Sequence, residues 1–324
     1  MRQIVQCVPN FSEGRNQNII NEIIKPLKNQ AGFILVSFEP DQDYNRTVVT
    51  LLGDPEAMIE PLVSFFAKAL ELIDLNNHRG QHPRMGAVDV VPFIPISNIT
   101  IKECVNFAKI LSEKINSKLN IPIFLYAKAA TTKIRESLPK IRQGEFEGMK
   151  TKIKEPNWHP DYGVNEIHPT FGTVAIGARL PLIAYNIDLA TKDQKIANKI
   201  ARAIRGSSGG FKYIQAGPAF LDKRGHMQVT MNILDYNKNP LYRIFEVVKT
   251  EAKRYQLAVT SSEIIGLIPR DALVESIHYY QAAGGYKTAL DLSLSEISNL
   301  AIKYFGLRNF SKEKIIESYL EVLK

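Results

Sequence analysis

LIAYNIDLATKDQKIANKIARAIRGSSGGFKYIQAGPAFLDKRGHMQVTMNIL, residues 182–234, is the stretch whose reading decides the fold. Apolar patterning gives a strand over 182–188, a helix over 193–205, and two strands, 211–220 and 227–234. A helix over 241–254 and a strand over 258–268 complete the order βαββαβ. The paired central strands form a hairpin, and a dinucleotide-binding parallel sheet would show uniform crossovers instead.

Read outward toward the N-terminus, the same order occurs once before. Strand 3–9, helix 16–29, strands 33–39 and 46–53, a helix from about Pro55 to Leu75, and strand 88–95 again give βαββαβ. Pro55 follows Asp54 and suits the first turn of its helix. A helix (101–119), a strand (121–127) and a polar, partly helical stretch through Lys154 extend this half. Residues 291–324 read as two helices separated by Gly306. The expectation is an α+β protein of two ferredoxin-like (βαββαβ) α/β-sandwich subdomains with a cleft between them, a frequent place for a ligand. A Gly-Ala-Arg-Leu-Pro turn signal puts the boundary near Arg179 and Leu180, giving subdomains 1–179 and 180–324.

At 324 residues, with 45% hydrophobic and 23% charged side chains, the chain is long enough for two apolar cores and too well balanced for a disordered or fibrous protein. No run reaches the roughly 20 apolar residues that span a bilayer, and the short apolar stretch 4–8 is too brief for a signal sequence. The two cysteines, Cys7 and Cys104, sit inside apolar patterns. Buried thiols in a reducing cytoplasm are therefore expected, with neither a disulfide framework nor a cysteine metal site. The net charge of +8 attracts anions, but basic residues are dispersed and no nucleic-acid motif is present. A small polyanionic substrate fits better than nucleic acid or membrane.

Chemistry concentrates in three loops. The run 76–95, NNHRGQHPRMGAVDVVPFIP, places a polar, Gly-containing loop before a buried strand. His78 and His82 are four apart, but Gly80 and Pro83 argue against a helix there, and no glutamate completes a metalloprotease motif, so no metal is expected. His82 can exchange protons near neutral pH, with Arg84 and Asp89 as candidates to position an anionic substrate and the loop. The alternative is a histidine that satisfies loop backbone. Residues 39–46, Glu39-Pro40-Asp41-Gln42-Asp43-Tyr44-Asn45-Arg46, join the first hairpin. Glu39, Asp41, Asn45 and Arg46 are candidates for substrate contact or support, against the simpler reading of a turn rich in turn formers. Residues 158–172 combine aromatics, prolines and glycines that could lie against a planar heterocycle. In the second half, 205–212 is basic and Gly-rich, with Lys212 able to meet a carboxylate-bearing tail, but it lacks the lysine placement of a Walker loop.

The runs VPNFSEGRN (8–16), NRTVVTLLGDPE (45–56), HPRMGAVDVVPFIP (82–95), DYG (161–163) through GARLPLIAYNIDL (177–189), FKYIQA, MNILDY and IIGLIP resemble the formiminotransferase domain family over nearly the whole chain. That domain stands alone in bacteria and is fused to a cyclodeaminase in animals. The resemblance implies transfer of a formimino group from N-formimino-L-glutamate to tetrahydrofolate, a co-substrate, giving 5-formiminotetrahydrofolate and glutamate in histidine degradation. It puts the catalytic histidine at His82. It puts the folate loop at Gly163, Val164, Asn165, Glu166, Ile167, His168, Pro169, Thr170, Phe171 and Gly172. Phe171 stands where the animal enzymes have tryptophan and His168 where they have valine, so Phe171 is expected to supply the aromatic face. The resemblance also implies a cytoplasmic homodimer without cyclodeaminase activity. Lys212, Lys223 and Arg224 could attract a polyglutamylated folate. Two rivals share the fold: a glutamate formyltransferase working with 5-formyltetrahydrofolate, and a noncatalytic folate or nucleic-acid binding protein.

Overall fold

Strand alternation sorts the second half cleanly. Ile183, Tyr185, Ile187 and Leu189 are fully buried in one core while the residues between them face the other side of the sheet. A computed structural model of the chain describes residues 2–222, 224–286 and 291–323, and divides it into two units, one running to Arg179 with Leu323 grouped to it and the other Leu180–Val322.

The first unit runs β1 (Ile4–Cys7), β2 (Asn10–Phe11), α1 (Gln17–Ile24), β3 (Phe33–Asp41), β4 (Arg46–Gly53), α2 (Pro55–Leu72), β5 (Val88–Ser97), α3 (Ile101–Leu119), β6 (Ile123–Ala127), α4 (Leu138–Arg142), α5 (Glu145–Lys152) and β7 (Val174–Ala178). Segments β1 and β2 act as one interrupted strand, each antiparallel to both β4 and β5. The first four strands thus lie in the order fourth, first, third, second. Beyond β5 the sheet continues through β7 to β6, both parallel. Helices α1, α2 and α3 bury their apolar faces on one side, with Ile23, Met58, Phe65, Leu111 and Ile115 meeting Val49, Leu51, Val88 and Phe93. The other side carries a smaller cluster under α4 and α5, containing Met85, Phe124, Tyr126, Ile141, Met149 and Trp158. That second layer is a departure from the simple two-layer expectation. Cys7 and Cys104 are free and buried, and burial pushes the Cys104 thiol up to about 12.

Capping explains the sharp helix boundaries. Asp54 accepts from the Glu56 amide ahead of Pro55, and Thr100 with Glu103 forms a reciprocal capping box on α3.

The second unit runs β8 (Ile183–Leu189), α6 (Gln194–Ile204), β9 (Ile214–Leu221), β10 (His226–Ile233), α7 (Leu241–Lys253), β11 (Val259–Ile265), α8 (Arg270–Ala283), α9 (Leu294–Phe305) and α10 (Leu320–Leu323). Its sheet order β11-β8-β10-β9 is again fourth, first, third, second, all antiparallel. Helix α8 was not expected: its buried stripe mixes Ser276 and Gln281 with Leu273 and Ile277, which blurs the apolar period. Gly306, at φ +60°, ends α9 as anticipated. The helix expected after it is two 3-10 turns and the single turn α10. Among the described residues no helix is long and apolar enough to cross a membrane.

Candidate active site

Three loops of the first unit are joined main chain to main chain. The tip of the β3–β4 hairpin, 42–45, is the support. Asp43 and Tyr44 carbonyls accept from the Gln81 and His82 amides at 3.1 and 3.4 Å. Asn45, at φ +49°, makes three further links: its Oδ1 accepts from the Gly14 amide, its Nδ2 donates to the Arg79 carbonyl, and its own carbonyl lies 2.9 Å from His78 Nε2. Gly14 and Gly80 are needed for this approach. A Cβ on Gly80 would lie 2.3 Å from the Tyr44 carbonyl oxygen, and one on Gly14 would lie 2.1 Å from that of Asp41.

His82 emerges from this frame buried, 5% exposed. Its Nε2 is 3.5 Å from Asp89 Oδ2, within ion-pair reach but long for a strong hydrogen bond, and has no hydrogen-bond partner among the described residues. Asp89 is fully buried at the start of β5. Its Oδ1 accepts from the Met85 amide at 2.9 Å, and its Oδ2 takes Arg142 Nε at 2.8 Å and a second Arg142 nitrogen. Burial opposes ionisation of Asp89, but Arg142, then His82 and the Met85 amide, hold its carboxyl down to about 2. Burial lowers the His82 pKa below its usual 6.5; Asp89 works to raise it, and Arg142 and Arg46 to lower it. The result is a neutral imidazole at physiological pH, backed by a fixed carboxylate.

Residues 163–172 are bound to the same segment. The Phe171 carbonyl accepts from the Ala87 amide, Met85 accepts from Thr173, and Thr170 accepts from Leu75, each at 2.8–2.9 Å. Gly172, at φ +82°, lies where a Cβ would be 2.2 Å from the Met85 carbonyl oxygen. Gly163, Val164, Asn165, Glu166 and Pro169 are exposed, and Ile167, His168 and Thr170 half-buried. His168 Nδ1 accepts from the Phe171 amide at 3.2 Å, closing the turn. Phe171 corrects an expectation: its ring is fully buried and stacked on Phe66 at 6.0 Å, so it presents no aromatic face to a ligand.

The profile of the formiminotransferase domain, N-terminal subdomain, matches residues 4–179, and that of the formiminotransferase domain matches 184–321. The chain belongs to the formiminotransferase domain family. A relative in Streptococcus pyogenes, glutamate formimidoyltransferase, is 48% identical over 86% of this chain and 94% of its own length. Another of that name, in Thermoplasma acidophilum, is 39% identical over 87% of this chain and 94% of its own. The formimidoyltransferase-cyclodeaminase of Dictyostelium discoideum is 40% identical over 98% of this chain, which spans 60% of that protein.

The remaining candidates of this formiminotransferase chain divide sharply. Asn45 and Asp89 stand at the site, and Arg46, the first residue of β4, adjoins it. Arg84 is a correction: its guanidinium is held by Glu145 at 2.9 Å and by Glu147 at 2.7 and 2.9 Å, so it fastens α5 and is not free to clamp a substrate. Asp41 is a turn former whose Oδ1 takes the Asp43 and Tyr44 amides, and Glu39 is an exposed residue of β3. In the second unit, Lys212 is exposed, with its ammonium 5.4 Å from the Tyr213 ring centre. Arg224 lies 3.9 Å from Asp188, and Lys223 falls outside the described residues. Among those residues no group of three or more His, Cys, Asp or Glu could hold a metal ion. Sequence reasoning missed Arg142. It also missed Lys152, whose ammonium donates to the Lys140, Ile141 and Gln143 carbonyls around Arg142 and sits 3.9 Å from the Trp158 ring centre. Burial lowers its pKa to about 8.

Proposed function

We propose that the chain is a glutamate formimidoyltransferase in which His82 moves the protons as the formimino group passes from N-formimino-L-glutamate to tetrahydrofolate. The observation that carries the role of His82 is its place: a buried imidazole 3.5 Å from the buried carboxylate of Asp89, on a loop held to residues 163–172 by main-chain hydrogen bonds. Attack by the pterin N5 on the amidine carbon forms the new C–N bond, and the proton leaving N5 goes to His82. The imidazolium, stabilised by Asp89, then returns that proton to the glutamate nitrogen as its bond to carbon breaks. Protons balance, and neither a covalent enzyme intermediate nor a metal is required. Proton transfer of this kind contributes about 10²–10⁴-fold, and holding two substrates in contact supplies much of the rest.

Residues 163–166, exposed beside this segment, are the candidate folate contacts; with Phe171 inward, backbone and the half-buried His168 take the role first given to an aromatic face. The test is turnover by purified protein with tetrahydrofolate as acceptor and either N-formimino-L-glutamate or N-formyl-L-glutamate as donor. Faster turnover of the formimino donor is expected. Preference for the formyl donor would make the chain a formyltransferase, and binding of folate without turnover of either would make it a noncatalytic binder.

A further inference from the structure

Arg46 is a cation with no assigned partner. It opens β4, directly after Asn45, and alternation sets its side chain on the face opposite Thr47, Val49 and Leu51. Val49 and Leu51 pack into the helical core, so Arg46 shares the other face with the site. Its Nε is buried without a hydrogen-bond partner, and among the described residues its guanidinium makes no ion pair; it lies 5.5 Å from the centre of the Tyr44 ring. The acids that act on it, Asp41 and Asp89, and those next along the segment are committed. Asp89 holds Arg142 and the Met85 amide, Asp41 holds two turn amides, and Glu145 and Glu147 hold Arg84. Arg46 and Arg142 both act on His82 through space; Asp89 is bonded to Arg142, and Arg46 feels Asp41 and Asp89 only at a distance.

A half-buried guanidinium without a hydrogen bond or a close ion pair is costly, and a carboxylate is the group its planar fork matches best. Both substrates of the proposed reaction carry carboxylates, but at different distances from the chemistry. In tetrahydrofolate they lie at the far end of the molecule, a p-aminobenzoyl unit away from the pterin. In the formimino donor the α-carboxylate is attached to the carbon that bears the reacting nitrogen. A cation close to His82 is therefore within reach of the donor's carboxylate and out of reach of the folate's. We infer that Arg46 binds the α-carboxylate of the N-formimino-L-glutamate donor and so selects an amino-acid-derived amidine. This rests on the transferase reading above. Arg46 is a binding residue in it, with no part in proton transfer.

The test uses Arg46→Met and Arg46→Lys in the full chain, with folding checked by circular dichroism. In Arg46→Met the KM for N-formimino-L-glutamate is expected to rise about 10- to 100-fold, the range for a lost charge-assisted contact, with the KM for tetrahydrofolate nearly unchanged. Arg46→Lys, which keeps the charge and loses the fork, should fall between. Wild type should also prefer this donor to N-formimino-4-aminobutyrate, which lacks the α-carboxylate, and Arg46→Met should lose that preference. A rise confined to the tetrahydrofolate KM, or unchanged values for both substrates, would overturn the assignment. Calorimetric binding of L-glutamate to wild type and both variants separates the two readings. If wild type turns over no formimino donor, the transferase reading fails, while loss of L-glutamate binding in Arg46→Met still supports the carboxylate site and unaltered binding rejects it.

Discussion

Replacing His82 by alanine is expected to lower kcat by about 10²–10⁴-fold while leaving the fold intact. The side chain is buried, but its Nε2 makes no close hydrogen bond, so its removal forfeits packing and no strong polar contact. The pH profile carries a second signature. The base is the neutral imidazole, and burial places its pKa below 6.5. The wild-type rate should therefore hold through neutral pH and fall only as pH drops through a midpoint under 6.5. The alanine variant's residual rate should lack that acid limb. A folded His82→Ala protein with wild-type turnover would remove His82 from the mechanism.

Asp89→Asn should damage both stability and proton transfer. The native carboxyl is held at about 2 against an ordinary 3.8, with burial opposing and Arg142 foremost among the groups that favour the charge. A carboxylate with a lowered native pKa contributes stability that is fully present above the unfolded value and is lost as pH falls from about 4 toward 2. The asparagine variant forgoes that contribution at neutral pH and leaves Arg142 unneutralised, a loss on the order of 2–4 kcal/mol, readable as a lower denaturant midpoint. For His82 the sign also follows from the charges. Asp89 raises its pKa, so removing it should move the acid limb to still lower pH. The rate should drop by about 10–10²-fold, less than the ~10⁴ seen for the aspartate of a serine-protease triad, because the His82–Asp89 separation is a long 3.5 Å. Lost stability with an unshifted acid limb would leave Asp89 as a purely structural partner of Arg142.

Much of the fold was legible because one-sided strands alternate. Ile183, Tyr185 and Ile187 announced β8, and the paired pattern of β9 and β10 announced the hairpin. Helix α8 was obscured by the serine and glutamine in its buried stripe. At the site, His82 and Asp89 are seven residues apart and both lay within one informative run. Arg142 was not readable: it is separated from Asp89 by 53 residues and comes from a polar stretch with no motif of its own. For Phe171 the sequence showed an aromatic in the right loop but not its side, and the Phe66 ring beneath it decides that it points inward. Arg84 misled for the same reason, since its partners Glu145 and Glu147 lie some sixty residues on.

The hairpin tip that carries the His82 loop is itself exposed over residues 42–44, the kind of place where an added residue normally passes unnoticed. Here it acts as a jig, since the carbonyls of Asp43 and Tyr44 set the height of Gln81 and His82. The side chain at 43 is then free to vary while the length of the turn is not. One glycine inserted between them should cost most of the activity and little of the melting temperature, whereas Asp43→Ser should be almost silent.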